Sequence, residues 1–320
     1  MKKIALKDAY TYEFNKASPP LIRVEQGEQF AVETEDALSG RIKSEVDLPV
    51  PSHMKELYSV QPNKGNPVAG PIYVEGAEKG DVLVVNIHDI KPREQGASVI
   101  IPGFGALKDS YEWAECRGPF SKILRHIPGP SGTTSDGRAI YSEKLSWDLR
   151  PMIGTIATAP ERVVFDTVEG QGPWGGNMDC RDVCKGSKIF LPVYNKGGLL
   201  FVGDVHATQA DTELTGVADE CAAESQLSCE VLKDKAIPFV RIEKKNSLIQ
   251  VNCYRPIEEA ISQAMNWMMD WLVRDHGLSM RDAYLQMSVN PDVRVNVYQM
   301  VQGGKLDYTV GVEYPKKYLP

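Results

Sequence analysis

Cysteine is scarce. Six in 320 residues are too few for a disulfide framework, which excludes a small stapled secreted scaffold and makes reduced thiols in a cytoplasmic protein the expectation. Nowhere do about 18 apolar residues run together, so no membrane-spanning helix is expected. The opening MKKIALKDAYTYEF carries lysines but never reaches the apolar stretch of a secretory leader. An excess of basic charge is missing too: the net charge of −7 argues against nucleic acid or an anionic membrane surface as partner. There is no G-x-S-x-G elbow, no phosphate loop and no dinucleotide fingerprint, since the glycines around Phe104 lack both the spacing and the flanking elements. Internal repeats and low-complexity segments are also absent.

What is present is an ordinary globular composition, 42% hydrophobic and 25% charged, with ample material for a core. At about 150 residues per domain the length allows two domains, although large β folds often run longer as one. Most of the first 250 residues read as short strands and turns. In GDVLVVNIHDI (80–90), β-branched residues follow a Gly-Asp turn and place Leu83, Val85 and Ile87 on one face. Further strands are expected at 72–74, 188–194, 199–207 and 228–232, with two more across 236–253 joined by the polar turn 244–246. Pro192 favours an edge position for the 188–194 strand. Residues 91–150 are poorly patterned and rich in Gly, Pro and Ser, so long loops are expected there, some of them bordering the functional site.

The period changes at the C-terminus. Ile257, Ile261, Ala264, Met265, Met268 and Leu272 fall at helical spacing, opened by Pro256 and stopped by Gly277. Ser279 ahead of Asp282 opens a second helix to about Met287, and two closing strands follow at 293–301 and 306–312. The Met and Trp residues of this segment are expected in the core or at a subunit contact. The fold expected is therefore mainly β, sandwich- or barrel-like, with an α+β C-terminal part. Residues 1–255 form the β-rich metal-site domain and 256–320 a helix-helix-strand segment packed on it.

Chemistry concentrates in GGNMDCRD (175–182) and GDVHATQADTE (203–213), followed by Asp219 and Glu220. Along a strand, Asp204, His206 and Thr208 point the same way, so a carboxylate and an imidazole can reach one metal ion without distorting the backbone. Asp211 and Glu213 add two carboxylates nearby, and two glycines let Asp179 turn sharply toward a ligand. Each feature also has a plainer explanation: His206 could bond a neighbouring carboxylate, and Asp179 could cap its own turn. Cys180 and Cys184 lack the second pair that structural zinc needs. A nucleophilic Cys180 beside Arg181 is the weaker alternative. His88-Asp89 closes a strand and could orient a ligand, though a satisfied strand-end histidine is the plainer explanation. His53, His126 and His276 show no constellation around them.

At GGNMD, LPVYNKGGLL and GDVHATQAD the chain resembles the acetamidase/formamidase family. The likeness extends to VEGAEKGDVLVV (74–85), PGFGAL (102–107), RPMIGTIATAP (150–160) and HGLSMRDAYLQMSVNPDVRVN (276–296), so it covers most of the chain. It implies an acetamidase/formamidase-like fold, a homodimer or larger homo-oligomer, and a divalent metal, zinc or else calcium. The residues depart from the family pattern at Trp174, at Asp182 where a histidine is common, and at Val205, Ala210 and Thr212 in place of glycines; these are expected to narrow or reshape the site.

On this resemblance the expected reaction is metal-dependent hydrolysis of a small formamide- or acetamide-like amide to ammonia and a carboxylate. Asp179, Asp204 and His206 are the expected metal ligands, with Asp36, from a segment that also resembles the family, as a further candidate. Glu220 is the expected general base, and Asn177 or Gln209 the group that bonds the amide. Asp211 and Glu213 form a second, oxygen-only site of calcium type if one exists. Two alternatives stay open: a non-catalytic metal-containing β-sandwich that binds a sugar or small ligand, and a hydrolase of another C–N substrate. The carboxylate excess around one histidine speaks for catalysis.

Overall fold

The computed structural model describes residues 1–54 and 63–320. Among these, nine strands form one sheet in the spatial order Lys2–Ile4, Phe30–Thr34, Ala223–Leu232, Val82–Pro92, Lys188–Pro192, Arg241–Glu243, Ser247–Tyr254, Tyr308–Pro315, Arg294–Gln299. A second sheet runs Gln171–Gly172, Gly175–Asn177, Met152–Thr158, Leu200–His206, Val68–Val74, Ile22–Val24. Leu83, Val85 and Ile87 of the first share one buried cluster with Ile153, Ile156, Leu200 and Val202 of the second. The arrangement is a sandwich, with neither sheet closed into a barrel. Because the Val82–Pro92 strand is covered on both faces, Val82 and Val84 are buried along with the expected stripe.

Pro192 does not mark an edge. Its strand lies inside the large sheet, paired on one side with Val82–Pro92 and on the other with Arg241–Glu243. The second pairing uses only Lys188, Ile189 and Phe190, so it has ended before the proline, whose missing N–H therefore breaks no ladder on that side.

The 91–150 segment, expected as loops, contains a four-stranded sheet made of Gln95–Ile100, Phe120–Ile127, Arg138–Ile140 and Ser146–Asp148. Its pattern is masked because polar residues occupy inward positions: in Phe120–Ile127 the buried side chains are Ser121, Leu124 and His126. PGFGAL remains a loop.

Helix α1 (Ile257–Arg274) carries Ala260, Ala264, Met268, Trp271 and Leu272 on its buried face, against Leu248, Val310 and Val312 of the large sheet. Glu258 and Glu259 in its first turn suit the positive end of the helix dipole. Helix α2 (Met280–Val289) is capped by Ser279, whose hydroxyl accepts the Asp282 N–H. The C-terminal strands complete the large sheet: Ser247–Tyr254 pairs with Tyr308–Pro315 along its whole length. Among the described residues no helix is long and apolar enough to cross a membrane.

Candidate metal and active site

The site grows from the second sheet. Asp204 and His206 lie at the end of the Leu200–His206 strand, where His206 pairs with Met152 and Val205 with Ile153. That register sets Asp204 opposite Gly154, and Asp204 takes a left-handed φ of 57°. Asp179 follows the Gly175–Asn177 strand and folds back so that its N–H and that of Met178 both reach the Gly154 carbonyl, at 3.1 and 3.0 Å. A Cβ on residue 154 would lie 2.6 Å from Asp204 Oδ2 and 2.8 Å from Asp179 Oδ1, so only glycine lets the two carboxylates close over this strand. Glu220 comes from a loop stitched to the Gln95–Ile100 strand by reciprocal bonds with Ala97 at 2.9 and 3.0 Å.

Glu213 arrives by an abrupt turn. Thr212 and Glu213 have φ of 70° and 45°, which swings Glu213 inward and leaves Asp211 exposed, paired with Arg181 at 2.9 Å. The structure thus separates the two residues expected to share a second site.

His206 is the hub. Its Nε2 lies 3.2 Å from Glu220 Oε2, 3.3 Å from Asp204 Oδ1 and 3.9 Å from Asp179 Oδ1. Two ligand sets, Asp179–His206–Glu213 and Asp204–His206–Glu220, bring donor atoms within 4.8 Å of one another. All five residues are buried. Gln209 Nε2 donates to the carbonyls of Asp179 and Tyr298, at 2.7 and 2.9 Å, so its Oε1 must face His206 Nδ1, 2.9 Å away. That oxygen only accepts, so Nδ1 carries the hydrogen, and Nε2 is turned to the carboxylates.

So much buried acid is costly in the absence of a cation. Burial pushes the imidazole of His206 down, but the charges of Glu220 and Asp204 outweigh it and hold it well above its usual range. Burial, then the charges of Glu213 and Asp204, raise Asp179 well above the carboxylate range. Burial is also the main cause for Glu220, which is raised, and for Glu213, pushed up to about 8. Asp204 alone is lowered, where His206 overcomes the cost of burial. Asp179 Oδ1 and Glu220 Oε2 are buried without a hydrogen-bond partner. Orphaned carboxylate oxygens around a tethered imidazole are the donor chemistry of a divalent cation, and the residues fit one.

The cluster lines a cavity of about 210 Å³ whose other walls include Leu38, Met54, Ile101, Phe104, Val217 and Leu306. Asn177 faces it, but its Nδ2 already donates to the Val168 carbonyl at 2.8 Å and its Oδ1 accepts from Thr155 at 3.0 Å. Gln209 sits behind His206 and off the cavity, in a positioning role. Gln209→Ala is therefore expected to keep the fold yet lower metal affinity about 10–100-fold, the usual effect of losing a partner behind a ligand. Titrating metal into the variant checks this, and unchanged affinity would show that His206 needs no such anchor.

Asp36 belongs to neither ligand set. Its Oδ1 accepts the Gly40 N–H at 3.0 Å, and burial pushes its carboxyl up to about 7. A folded-state value above the unfolded one opposes folding once the unfolded chain ionises. The handicap grows from about pH 4 and is complete above about pH 7. Asp36→Asn keeps the acceptor, so we expect it to leave metal content unchanged and raise Tm at pH 8 but not at pH 4. A fall in metal content would return Asp36 to the ligands.

Sequence reasoning missed Gly154, Thr155 and Asn66. Thr155 Oγ1 sits 3.2 Å from Asp204 Oδ2 and accepts from Asn66 Nδ2 at 2.9 Å. Only their shared placement in the fold reveals them. His126, without a visible constellation in the sequence, is buried against Asp219 at 3.1 Å. Trp174, Asp182, Val205, Ala210 and Thr212 do not line the cavity. Trp174 packs near Phe14 and Phe201, and Asp182 pairs with Lys244 and accepts from Tyr298. Cys180 is buried, and burial holds its thiol well above the usual range, which leaves no reactive thiolate.

A sequence profile described as the acetamidase/formamidase family matches residues 7–172 and 165–310. A formamidase from Methylophilus methylotrophus is 26% identical over 317 residues, 85% of this chain and 75% of that protein. A putative formamidase from Schizosaccharomyces pombe is 28% identical over 256 residues, 66% of this chain, which spans only 61% of that relative's length. The crystal structure of an acetamidase from Bacillus halodurans superposes with a TM-score of 0.85 at 29% identity, covering 99% of this chain and 98% of that one.

Proposed function

Since the chain belongs to the acetamidase/formamidase family, we propose that it hydrolyses a small linear amide to ammonia and a carboxylate, with a divalent metal ion held at the His206 cluster. The observation that carries the proposal is the tethered imidazole among partnerless buried carboxylate oxygens at the wall of a cavity. Asp179, Asp204 and His206 would hold the ion, both carboxylates lying beside His206 Nε2, and Glu213, grouped with Asp179 and His206, would be a further donor. One imidazole among oxygens suits zinc, whereas calcium prefers oxygens alone. Such an ion, when bound, supplies polarisation of the amide carbonyl and acidification of water.

The chain's own groups do the rest. Glu220 is held at one oxygen by the Ala218 N–H, at 2.9 Å, and turns the other toward the cluster. There it takes the proton of the attacking water and returns it to the departing nitrogen; its raised pKa suits both transfers. The apolar walls hold the acyl group and keep bulk water from the carboxylates. Self-association in the cytoplasm is part of the same proposal. The exposed apolar side chains of α2, Met280, Tyr284, Leu285 and Val289, support the self-association.

The test is ammonia release from a panel of short amides, comparing chelator-treated protein with protein reloaded with zinc. Zinc-dependent release from formamide or acetamide is expected. Equal release by the stripped protein would remove the metal from the reading, and no release from any amide would remove the hydrolase.

A further inference from the structure

Asn66 lies far in sequence from every residue of the cluster but lines the same cavity. It is buried, with a left-handed φ of 51° that asparagine tolerates better than most residues. Its backbone is fixed by the N–H bond to the Ala37 carbonyl at 2.7 Å. Its side chain is fixed by two bonds from Nδ2, to Thr155 Oγ1 at 2.9 Å and to the Thr167 carbonyl at 3.0 Å. A carbonyl oxygen can only accept, so these partners settle which end of the carboxamide is nitrogen. The oxygen is on the other side. Asn66 Oδ1 is buried and has no hydrogen-bond partner.

A buried acceptor left unmet costs stability and calls for an explanation. Here it sits on the wall of a cavity beside the proposed reaction centre, one hydroxyl away from Asp204: Thr155 Oγ1 accepts from Asn66 and lies 3.2 Å from Asp204 Oδ2. The missing partner is a donor: of the cavity's other side chains Leu38, Met54, Ile101 and Phe104 offer none, Asn177 Nδ2 is spent on the Val168 carbonyl, and Asn63 makes no bond to Asn66 Oδ1. In the reading above, the substrate brings one: an amide –NH2 has two N–H donors, while an ester of the same acid has none.

We propose that Asn66 Oδ1 accepts a hydrogen bond from the substrate's amide nitrogen, making this side chain the group that selects primary amides over esters. The inference rests on the amide-hydrolase reading. The bond orients the nitrogen on the Thr155 side of the cavity, with the acyl group left to the apolar wall. A site built to bond an N–H discriminates strongly against an analogue that lacks it, because the acceptor is then stranded.

Acetamide and methyl acetate, which share an acyl group, make the comparison. Asn66→Gly removes the acceptor and suits the backbone conformation. In the zinc-loaded full chain we expect the variant's amide-to-ester ratio of kcat/KM to fall about 10–100-fold, mainly through a higher KM for the amide. A purely structural role, acting through Thr155 on Asp204, would lower kcat for both substrates and leave the ratio unchanged; that result overturns the inference. A second measurement does not depend on how well the variant folds. In a crystal structure of Glu220→Gln holding propionamide, the amide nitrogen is expected within about 3.2 Å of Asn66 Oδ1. A nitrogen placed elsewhere also overturns the inference. If the wild-type chain releases ammonia from no primary amide, the hydrolase reading itself fails and takes this inference with it.

Discussion

His206→Ala is expected to release no ammonia above background and to hold less than about a tenth of the wild-type metal. Nε2 is the nitrogen donor common to both ligand sets, so its loss dismantles both together. The carboxylates around it are buried, and without the imidazole they lose their nearest positive partner. Breaking such a buried pair typically costs about 3–5 kcal/mol, so the metal-free variant should also melt earlier. Elemental analysis and ammonia release settle the assignment, with circular dichroism as the check on folding. Full retention of metal and activity in a folded variant would show that the carboxylates hold the ion without the imidazole.

Gly154→Ala adds a single methyl group and removes no functional group, yet it should cost at least about 100-fold in kcat/KM. The methyl would sit 2.6 Å from Asp204 Oδ2, 2.8 Å from Asp179 Oδ1 and 2.8 Å from the Asp204 carbonyl. Contacts this short force the ligand carboxylates apart, and a displacement of about 1 Å at a reaction centre can cost 10²-fold. Elsewhere, Gly→Ala at a tolerated backbone position stabilises by about 0.4–1 kcal/mol. Here overpacking should turn the sign, to a loss of about 1–3 kcal/mol. Chemical denaturation and kinetics on one preparation check both halves, and an alanine variant with normal metal affinity would mean that the carboxylates have room to give.

The sequence made most strands of the large sheet legible, because β-branched residues alternate there and Gly or Asp closes the runs. Of the second sheet it showed only Val68–Val74 and Leu200–His206, and it left Met152–Thr158, Ile22–Val24 and the short strands at 171–177 unread. It made α1 and the Ser279 cap legible for the same kind of local reason. What it hid were features decided by distant partners. Ser121 and His126 at inward positions erased the alternation of the third sheet. Pro192 reads as an edge signal unless one knows that the neighbouring ladder stops at Phe190. In the site, the D-x-H spacing and the GGNMD turn pointed to the residues that cluster. Asp211 and Glu213 looked equivalent, and a left-handed pair of backbone angles sends one outward and the other in. Asn66, Gly154 and Thr155 carry no local signature, since the sheet brings Gly154 and Thr155 beside Asp204 and the loop ahead of the Val68–Val74 strand brings Asn66.

Asp179, Asp204 and Glu213 all hold left-handed backbone angles, φ 46°, 57° and 45°. Such conformations persist only where the surrounding structure enforces them. For evolution this makes the cluster the part of the molecule with most to gain from decay. A lineage released from the need for the reaction would find stabilising changes first at these positions, where glycine relieves both the backbone and the crowded charge. Descendants that keep the sandwich and lose these acids would therefore be scaffolds relaxed into a quieter state, and retention of all three in any relative is a record of continued use.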